Sequence, residues 1–292
     1  MTLIKKAIIL CGGTGSRMFP VTKTINKQLL PVLDKPMFYY PLSVLMLCGI
    51  KKFIFIINKG QEINFRNALG DEKDLGIKIK FIEQDKPRGL PDAFKITEKT
   101  IHNQPVAMIL GDNFFYGSML ISLIKKSFNL TNGCNIYLYP SKNTSSYGVA
   151  EFDSKNKIKK IIEKPKKTKS DQVITGLYIF DKNVSKYAKK LNPSERGELE
   201  IVDLIKIYKR KNKLNYTKLG RGSAWMDVGN FSDLQSISNF IQNLEQRQNF
   251  KIGCLEEIAL KNKWINKTNL NNRIKFCANS NYSKYLKNLL KR

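Results

Sequence analysis

Strand-like apolar runs alternate with amphipathic stretches along the first third of the chain. The apolar runs lie at residues 6–10, 53–57, 77–82 and 106–110, and helical apolar spacing lies between them, at residues 36–49, 61–69 and 90–100. Because strands and helices alternate in this way, the pattern predicts an α/β fold with a Rossmann-like, mixed and mostly parallel sheet and helices on both faces. Ligands of such sheets bind beyond the carboxyl ends of the strands. We therefore expect residues 11–17 and 111–113 to face one crevice.

The second half of the chain is richer in strand patterns, which lie at residues 135–139, 149–152, 158–163, 174–180 and 214–219. From residue 231 onward the apolar spacing becomes helical. The sequence contains no internal repeat and no low-complexity linker. We expect one core at residues 1–250 and a C-terminal helical appendage at residues 251–292.

The composition narrows the class of protein. With 42% hydrophobic residues among 292, the chain can bury a substantial core. No apolar run reaches the ~18 residues that a membrane span needs, so we expect a soluble protein in the cytoplasm. Five scattered cysteines without a C-x-x-C pattern favour reduced thiols over a disulfide framework or a zinc site. A single histidine, His102, excludes a His–His metal site and argues against a Ser–His or Cys–His catalytic pair.

The chain is strongly basic, with 51 Lys and Arg against 24 Asp and Glu and a net charge of +27. Such a charge attracts nucleic acid, an anionic membrane surface or a phosphorylated substrate. The cations are dispersed, however, and aromatic residues do not alternate with them as a base-stacking surface requires. We expect no specific nucleic acid and no membrane as partners, and a small phosphorylated substrate instead.

A glycine-rich turn, GGTGSR, follows the first strand at residues 12–17. Backbone N–H groups of such a turn can approach phosphate oxygens closely. The turn is not a P-loop, because no Gly-Lys-Ser/Thr follows, and it is not the dinucleotide fingerprint, because Met18 stands where a third glycine belongs. Arg17 can hold a phosphate with two hydrogen bonds, and Lys27 supplies a second cation. The pattern favours a phosphate site over a plain tight turn.

Two carboxylates and one charged pair complete the candidate chemistry. Asp112 and Asp227 each follow an apolar segment, and two carboxylates in a phosphate-lined crevice are suited to Mg²⁺. Taken singly and on spacing alone, each is more typical of a helix N-cap or a turn. Glu163 and Lys164 end a strand pattern at Pro165, which blocks further pairing. Without further context, such a pair is more often a strand terminus than a site.

The sequence GGTGSRMFP at residues 12–20 resembles the signature of sugar-phosphate nucleotidyltransferases. Further segments occur in the order typical of one family among them, the glucose-1-phosphate thymidylyltransferases: KQLLPV at 27–32, DKPM at 34–37, YYPLS at 39–43, LGDN at 110–113, YGV at 147–149, EKP at 163–165, TGLY at 175–178, RGELEI at 196–201, GRG at 220–222 and AW at 224–225. The similarity extends from about Ala7 to Ile265. The main departures are Ser16 for threonine, Met18 for leucine, and Pro91 with Asp92 for Ala-Gln.

The resemblance implies Mg²⁺-dependent transfer of a thymidylyl group from dTTP to glucose 1-phosphate. A sugar-phosphate oxygen attacks the α-phosphorus in line, and pyrophosphate leaves. This is the first step of dTDP-sugar synthesis, of the dTDP-rhamnose type, for cell-surface polysaccharide such as lipopolysaccharide. The resemblance also implies nucleotide binding at residues 1–115, a sugar-binding insertion at about 116–225 and a homotetramer. Transfer of a uridylyl or cytidylyl group is the nearest alternative, and a non-catalytic nucleotide- or nucleic-acid-binding relative is another.

The resemblance also assigns roles to individual residues. Those implied to hold the triphosphate are Gly12, Gly15, Ser16, Arg17 and Asp112, and the catalytic cations are Arg17, Lys27 and Lys164. Those implied to recognise the base are Gln28, Gln84 and Gly89. Mg²⁺ would bind Asp112 and Asp227. The sugar pocket would contain Tyr147, Gly148, Glu163, Lys164 and Ile174. A second, regulatory nucleotide site would involve Tyr116, Gly117, Arg221, Glu256 and Glu257.

Overall fold

The computed structural model of the protein describes residues 4–130 and 132–291. The strands are β1 (Lys6–Cys11), β2 (Pro31–Val32), β3 (Lys35–Pro36), β4 (Lys52–Asn58), β5 (Lys78–Gln84), β6 (Val106–Leu110), β7 (Asn113–Gly117), β8 (Cys134–Pro140), β9 (Gly148–Phe152), β10 (Ile158–Glu163), β11 (Gln172–Phe180), β12 (Leu214–Lys218) and β13 (Ser223–Asp227). The helices are α1 (Tyr39–Leu47), α2 (Glu62–Leu69), α3 (Asp92–Ile96), α4 (Glu98–Ile101), α5 (Leu120–Ser127), α6 (Val184–Ala188), α7 (Ile201–Arg210), α8 (Phe231–Gln248), α9 (Leu255–Lys261), α10 (Lys267–Phe276) and α11 (Asn281–Leu289).

The described residues form two compact units. Unit 1 comprises residues 4–8, 87–109, 116–130 and 132–225, and unit 2 comprises residues 9–86, 110–115 and 226–291. The expected ends of the core and of the appendage, residues 1–3 and 292, lie outside the described residues. None of the helices described is long and apolar enough to cross a membrane.

Unit 1 is built on antiparallel pairs around β11. This strand pairs with β6, β8 and β9, β9 also pairs with β10, and β12 joins β8 in parallel. All residues of β11 after Gln172 are buried, so the strand does not show the alternation of a half-buried strand. In the register of β9 and β10, Gly148 stands opposite Glu163. That register brings two of the predicted sugar-site residues side by side.

Unit 2 contains the parallel strands predicted from the first third of the sequence. Their order is β1-β4-β5, and β4 and β5 run parallel with Asn58 opposite Gln84. Ile54 to Ile57 of β4 are all buried, which explains the continuous apolar run in the sequence. The carboxyl ends of the three strands are at Cys11, Asn58 and Gln84. The glycine turn directly follows the first of these ends.

The C-terminal segment is helical, as predicted. Helices α9, α10 and α11 pack on a small apolar cluster formed by Cys254, Leu270, Ile274, Leu286 and Leu289. Helix α8 begins with a capping box, in which the Asn230 side chain accepts from the Asp233 backbone and the Asp233 side chain accepts from the Asn230 backbone. Together, the strands and helices confirm the α/β class and the mixed sheet.

Two local expectations are refined by the structure. The predicted helix at residues 90–100 is divided into α3 and α4 at Thr97, whose hydroxyl donates to the Ala93 carbonyl at 2.6 Å. Pro91 directly precedes α3 and Asp92 is its first residue; proline at a helix start and a carboxylate in the first turn both suit a helix N-terminus. The five cysteines are free thiols, and all but Cys277 are buried, as expected for reduced cysteines.

Candidate functional site

The glycines of the turn after β1 are required for different structural reasons. A Cβ on Gly12 would lie 1.8 Å from Nε2 of Gln84, so only glycine allows this close approach. Gly13 and Gly15 have φ angles of +114° and +60°, which side chains with a Cβ rarely adopt. In the described part of the chain, the backbone N–H groups of Thr14 and Gly15 donate no hydrogen bond. The turn therefore carries free N–H donors, as an anion site requires.

Two asparagines that sequence analysis missed hold this turn in place. The Asn58 side chain exchanges two hydrogen bonds with the backbone of Gly13. The Asn26 side chain donates to the Cys11 carbonyl at 3.0 Å and accepts from the Gln28 N–H at 2.9 Å. The second asparagine thus joins the end of β1 to the short turn that carries Lys27. A polar residue that ends a neighbouring parallel strand was the signal available for Asn58 in the sequence.

The turn forms one wall of a cavity of about 210 Å³ in unit 2. The cavity is lined by Gly12, Gly13, Thr14, Gly15, Ser16, Arg17, Met18, Lys27, Gln28, Asp112 and Gly229. Most of the residues that the resemblance implies to hold the triphosphate or to act as catalytic cations therefore line one cavity. The expectation that residues 11–17 and 111–113 face one crevice is met by the glycine turn and Asp112.

Lys27 and Asp112 form an ion pair inside this cavity. Lys27 Nζ lies 2.6 Å from Oδ2 of Asp112, and Asn113 Nδ2 donates to the other carboxylate oxygen at 2.9 Å. Both charged side chains are mostly buried, with 10% and 22% of their surfaces exposed. The charge of Asp112 also acts on the buried Cys11 thiol, whose pKa is raised first by burial and second by that carboxylate. The predicted cation and the predicted metal ligand are thus direct neighbours.

The chain directly after Asp227 lies beside Asp112 in unit 2. The N–H of Val228 donates to the Asp112 carbonyl at 3.0 Å, so the backbones of the two predicted metal ligands are adjacent. Gly229 follows and lines the cavity, where an added Cβ would lie 3.3 Å from Nη1 of Arg17. Across residues 4–130 and 132–291, no group of three or more His, Cys, Asp and Glu side chains could hold a metal ion. Metal binding by Asp112 and Asp227 stays a prediction.

The residues predicted to recognise the base occupy different environments. Gln28 is buried, and its Oε1 has no hydrogen-bond partner among the described residues. Gln84 lies against Gly12 at the end of β5. Gly89 belongs to unit 1, with a φ of +96°, and a Cβ there would lie 2.1 Å from the Leu199 carbonyl oxygen. Packing in unit 1 by itself accounts for glycine at that position.

The five predicted sugar-site residues come together in unit 1. An added Cβ on Gly148 would lie 3.3 Å from Cδ1 of Ile174 and 3.6 Å from Oε2 of Glu163. The N–H of Lys164 donates to the Tyr147 carbonyl at 3.0 Å. Lys164 has a φ of +43°, an uncommon conformation for a residue with a side chain. These contacts join the ends of β9 and β10 into one cluster.

Glu163 is electrostatically perturbed within this cluster. Burial raises its pKa above the ordinary 4.5, and the charge of Glu200 raises it further, whereas Lys164 and Arg196 act in the opposite direction. Arg196 Nη2 lies 3.3 Å from a Glu163 carboxylate oxygen and 2.8 Å from a Glu200 oxygen. Arg196 is the first residue of the RGELEI segment, but its contact with Glu163 could not be inferred from the sequence. It joins the cluster as a further cation.

The residues proposed for a regulatory site are divided between the units. Tyr116, Gly117 and Arg221 belong to unit 1, whereas Glu256 and Glu257 begin α9 in unit 2. The Glu256 carboxylate is completely buried and pairs with Arg273, and Glu257 is engaged by Tyr285 and Lys261. Both glutamates therefore connect helices within unit 2. Regulation through these five residues stays a prediction.

The chain belongs to the nucleotidyl transferase family, whose sequence profile matches residues 6–244. Relatives named glucose-1-phosphate thymidylyltransferase match almost its whole length. That of Neisseria meningitidis serogroup A is 44% identical over 287 residues, covering 98% of this chain and 100% of the relative. That of Mycolicibacterium smegmatis is 42% identical over 287 residues, covering 98% and 99%. The resemblance found in the sequence, and with it an enzyme of the nucleotidyltransferase class, is confirmed.

Solved structures agree with this assignment. A Bacillus anthracis protein assigned as a glucose-1-phosphate thymidylyltransferase, crystallised with sucrose, superposes with a TM-score of 0.74 at 35% identity, covering 80% of this chain and 94% of that one. A UDP-glucose pyrophosphorylase with bound UDP-glucose gives a TM-score of 0.72 at 23% identity, covering 82% and 99%. The second likeness concerns the fold alone.

Proposed function

We propose that the protein transfers a thymidylyl group from dTTP to glucose 1-phosphate, giving dTDP-glucose and pyrophosphate. The observation that carries this proposal is the cavity of unit 2, where the glycine turn, Arg17, Lys27 and Asp112 meet. The names of the full-length relatives supply the substrates. The proposed product makes the reaction the first step of dTDP-sugar synthesis, in the cytoplasm.

The triphosphate binds to the glycine turn in this proposal. The free N–H groups of Thr14 and Gly15 offer hydrogen bonds to phosphate oxygens, and Ser16 adds a hydroxyl. Arg17 and Lys27 bring two positive charges to the same cavity. Because negative charge accumulates on the leaving pyrophosphate, positioned cations stabilise the transition state more than the ground state.

Lys27 must change partners when the nucleotide binds. Its ammonium group is paired with Asp112 in the structure, and a triphosphate in the same cavity offers it several anionic oxygens. Turning toward the phosphates releases the Asp112 carboxylate. Asp112 and Asp227, whose backbones are adjacent, carry hard oxygen donors that suit Mg²⁺, which binds one or two carboxylates and retains water and phosphate ligands. When bound, Mg²⁺ would neutralise phosphate charge and orient the triphosphate.

The chemistry needs no general base from the protein. A sugar phosphate is mostly a dianion at neutral pH, with a second pKa of about 6 by analogy with phosphorylated side chains. Its oxygen is therefore already a nucleophile, and it displaces pyrophosphate from the α-phosphorus without a covalent intermediate. Catalysis then consists of positioning and charge neutralisation. This explains how a chain with one histidine can perform it.

Recognition of the two substrates is assigned to different side chains. The unpartnered Oε1 of Gln28 suits the N3–H donor of thymine, and Gln84 lies beside the glycine turn. In unit 1, the Glu163 carboxylate accepts from sugar hydroxyls and Lys164 pairs with the sugar phosphate. Arg196 keeps Glu163 in place by its hydrogen bond. Assembly as a homotetramer is proposed from the resemblance and is tested by light scattering.

A nucleotide panel tests the proposal. Pyrophosphate release is measured with glucose 1-phosphate and each of dTTP, UTP, CTP and ATP, first with Mg²⁺ and then with EDTA. We expect the highest kcat/KM with dTTP and loss of turnover in EDTA. Turnover with CTP that equals or exceeds that with dTTP would overturn the specificity, and absence of turnover with all four would overturn the function.

A further inference from the structure

Asn58, the last residue of β4, makes two hydrogen bonds to one backbone residue of the glycine turn. Its Nδ2 donates to the Gly13 carbonyl at 2.8 Å, and the Gly13 N–H donates to its Oδ1 at 3.0 Å. Its side chain thereby satisfies both polar groups of the Gly13 backbone. No role for this residue followed from the motifs in the sequence.

These hydrogen bonds matter because packing does not hold Gly13. Its φ is +114°, and no atom lies within 4 Å of the position that its Cβ would occupy. A glycine in open space has a wide range of accessible backbone conformations. The hydrogen bonds to Asn58 therefore hold the backbone between Gly12 and Thr14 in one of them. They also occupy the Gly13 N–H, which therefore does not compete for phosphate, whereas the N–H groups of Thr14 and Gly15 stay available to it.

Asn58 also lies beside the predicted base-recognition residue Gln84. The two residues are direct partners in the parallel register of β4 and β5. The Cβ position of Gly12 is 1.8 Å from Gln84 Nε2 and 3.3 Å from Asn58 Oδ1. The two amides consequently pack together against the same glycine.

We propose that Asn58 is a positioning residue that sets the phosphate-binding shape of the glycine turn and its alignment with Gln84. This inference rests on the proposed function. Asn58 acts through Gly13 and Gln84, so it controls the affinity for the nucleotide. Its contacts all lie in unit 2, whereas the predicted sugar residues belong to unit 1, so the affinity for glucose 1-phosphate stays unchanged.

The kinetic test compares Asn58→Ala and the isosteric Asn58→Asp with the wild type. We expect Asn58→Ala to raise the KM for dTTP about 10- to 100-fold, because two hydrogen bonds are lost. Asn58→Asp keeps the volume and the acceptor but replaces the donor, so it should raise this KM at least as much. The KM for glucose 1-phosphate should stay within about twofold. The matched control is Asn135→Ala, which removes a buried strand asparagine bonded to Thr217 in unit 1 and should leave the KM for dTTP unchanged.

The outcomes separate this inference from the proposed function. A wild-type enzyme without turnover contradicts the function. An active wild type with an unchanged KM for dTTP in Asn58→Ala, or full activity in Asn58→Asp, overturns the role of the hydrogen bonds. Hydrogen–deuterium exchange of residues 12–18 decides the positioning role without any turnover. We expect faster exchange there in both Asn58 variants and not in Asn135→Ala, and equal exchange would overturn the inference even in a variant of reduced stability.

Discussion

Lys27 Nζ lies 2.6 Å from the Asp112 carboxylate, in a cavity that the glycine turn also lines. The two residues are 85 positions apart in the sequence. The pair has a double consequence: it orients the predicted catalytic cation, and it orients the predicted metal ligand. Substitution of either residue leaves a mostly buried charge without its partner.

Replacing Lys27 tests the role of the cation. We expect Lys27→Met to lower kcat/KM for dTTP by about 30- to 1000-fold, equivalent to about 2–4 kcal/mol of transition-state stabilisation. The control is Lys23→Met, which removes an equal charge from the neighbouring short turn, where Lys23 lies over the Phe19 ring. Pyrophosphate release measures both. Equal losses in the two variants would show that general surface charge is responsible.

Replacing Gly12 tests the close approach of Gln84. Gly12→Ala places a methyl group 1.8 Å from the Gln84 amide nitrogen, so that side chain must move and the KM for dTTP should rise at least tenfold. A second variant, Gly12→Ala with Gln84→Ala, should recover thermal stability but not nucleotide affinity, because the clash is relieved while the base contact is lost. Gly220→Ala, where no atom is within 4 Å, is the control. Wild-type affinity in Gly12→Ala would contradict the assigned position of Gln84.

Glu163 should make glucose 1-phosphate binding sensitive to acid. Its pKa is raised above 4.5 by burial and by Glu200, so protonation begins at a higher pH than for an ordinary glutamate. The same shift means that ionising Glu163 costs stability, and this cost appears as pH rises from 4.5 through the raised pKa. We expect the KM for glucose 1-phosphate to rise as pH falls through this pKa.

Two substitutions should change, in opposite directions, the pH at which the KM for glucose 1-phosphate begins to rise. Glu200→Gln removes a negative neighbour and should move this rise to lower pH, whereas Arg196→Gln removes a cation and should move it to higher pH. The titration of the substrate phosphate is common to all variants, so their differences report Glu163. The KM for glucose 1-phosphate, measured between pH 4.5 and 7.5, checks this. Identical profiles would show that Glu163 does not bind the sugar.

The ion pair between Arg273 and Glu256 should dominate the stability of the C-terminal helices. The two side chains are 1% and 0% exposed, and Tyr282 donates to the same glutamate at 2.6 Å. Arg273→Met leaves that carboxylate buried and unpaired, which should cost about 3–5 kcal/mol of unfolding free energy. Lys261→Ala removes the exposed partner of Glu257, which keeps its hydrogen bond from Tyr285, and should cost below about 1 kcal/mol. Urea denaturation measures both free energies, and equal costs would contradict the dominant contribution of the buried Arg273–Glu256 pair.

The glycine turn and the α/β alternation were predictable because their signals are local. The positive φ angles of Gly13 and Gly15 depend on glycine at these two positions, and strands β1 and β4 are visible as continuous apolar runs. The start of α3 at Asp92 likewise follows from Pro91 before it. The helix predicted at residues 90–100 is divided at Thr97, whose hydroxyl donates to the Ala93 carbonyl.

The sequence by itself therefore determined the fold class, the family and the position of the glycine turn. Only the tertiary structure decided which distant residues meet. Asn58 reaches Gly13 because β4 lies beside β1, and Arg196 reaches Glu163 through the packing of unit 1. Strand order and register result from long-range burial of apolar surface, and a local pattern does not contain that information.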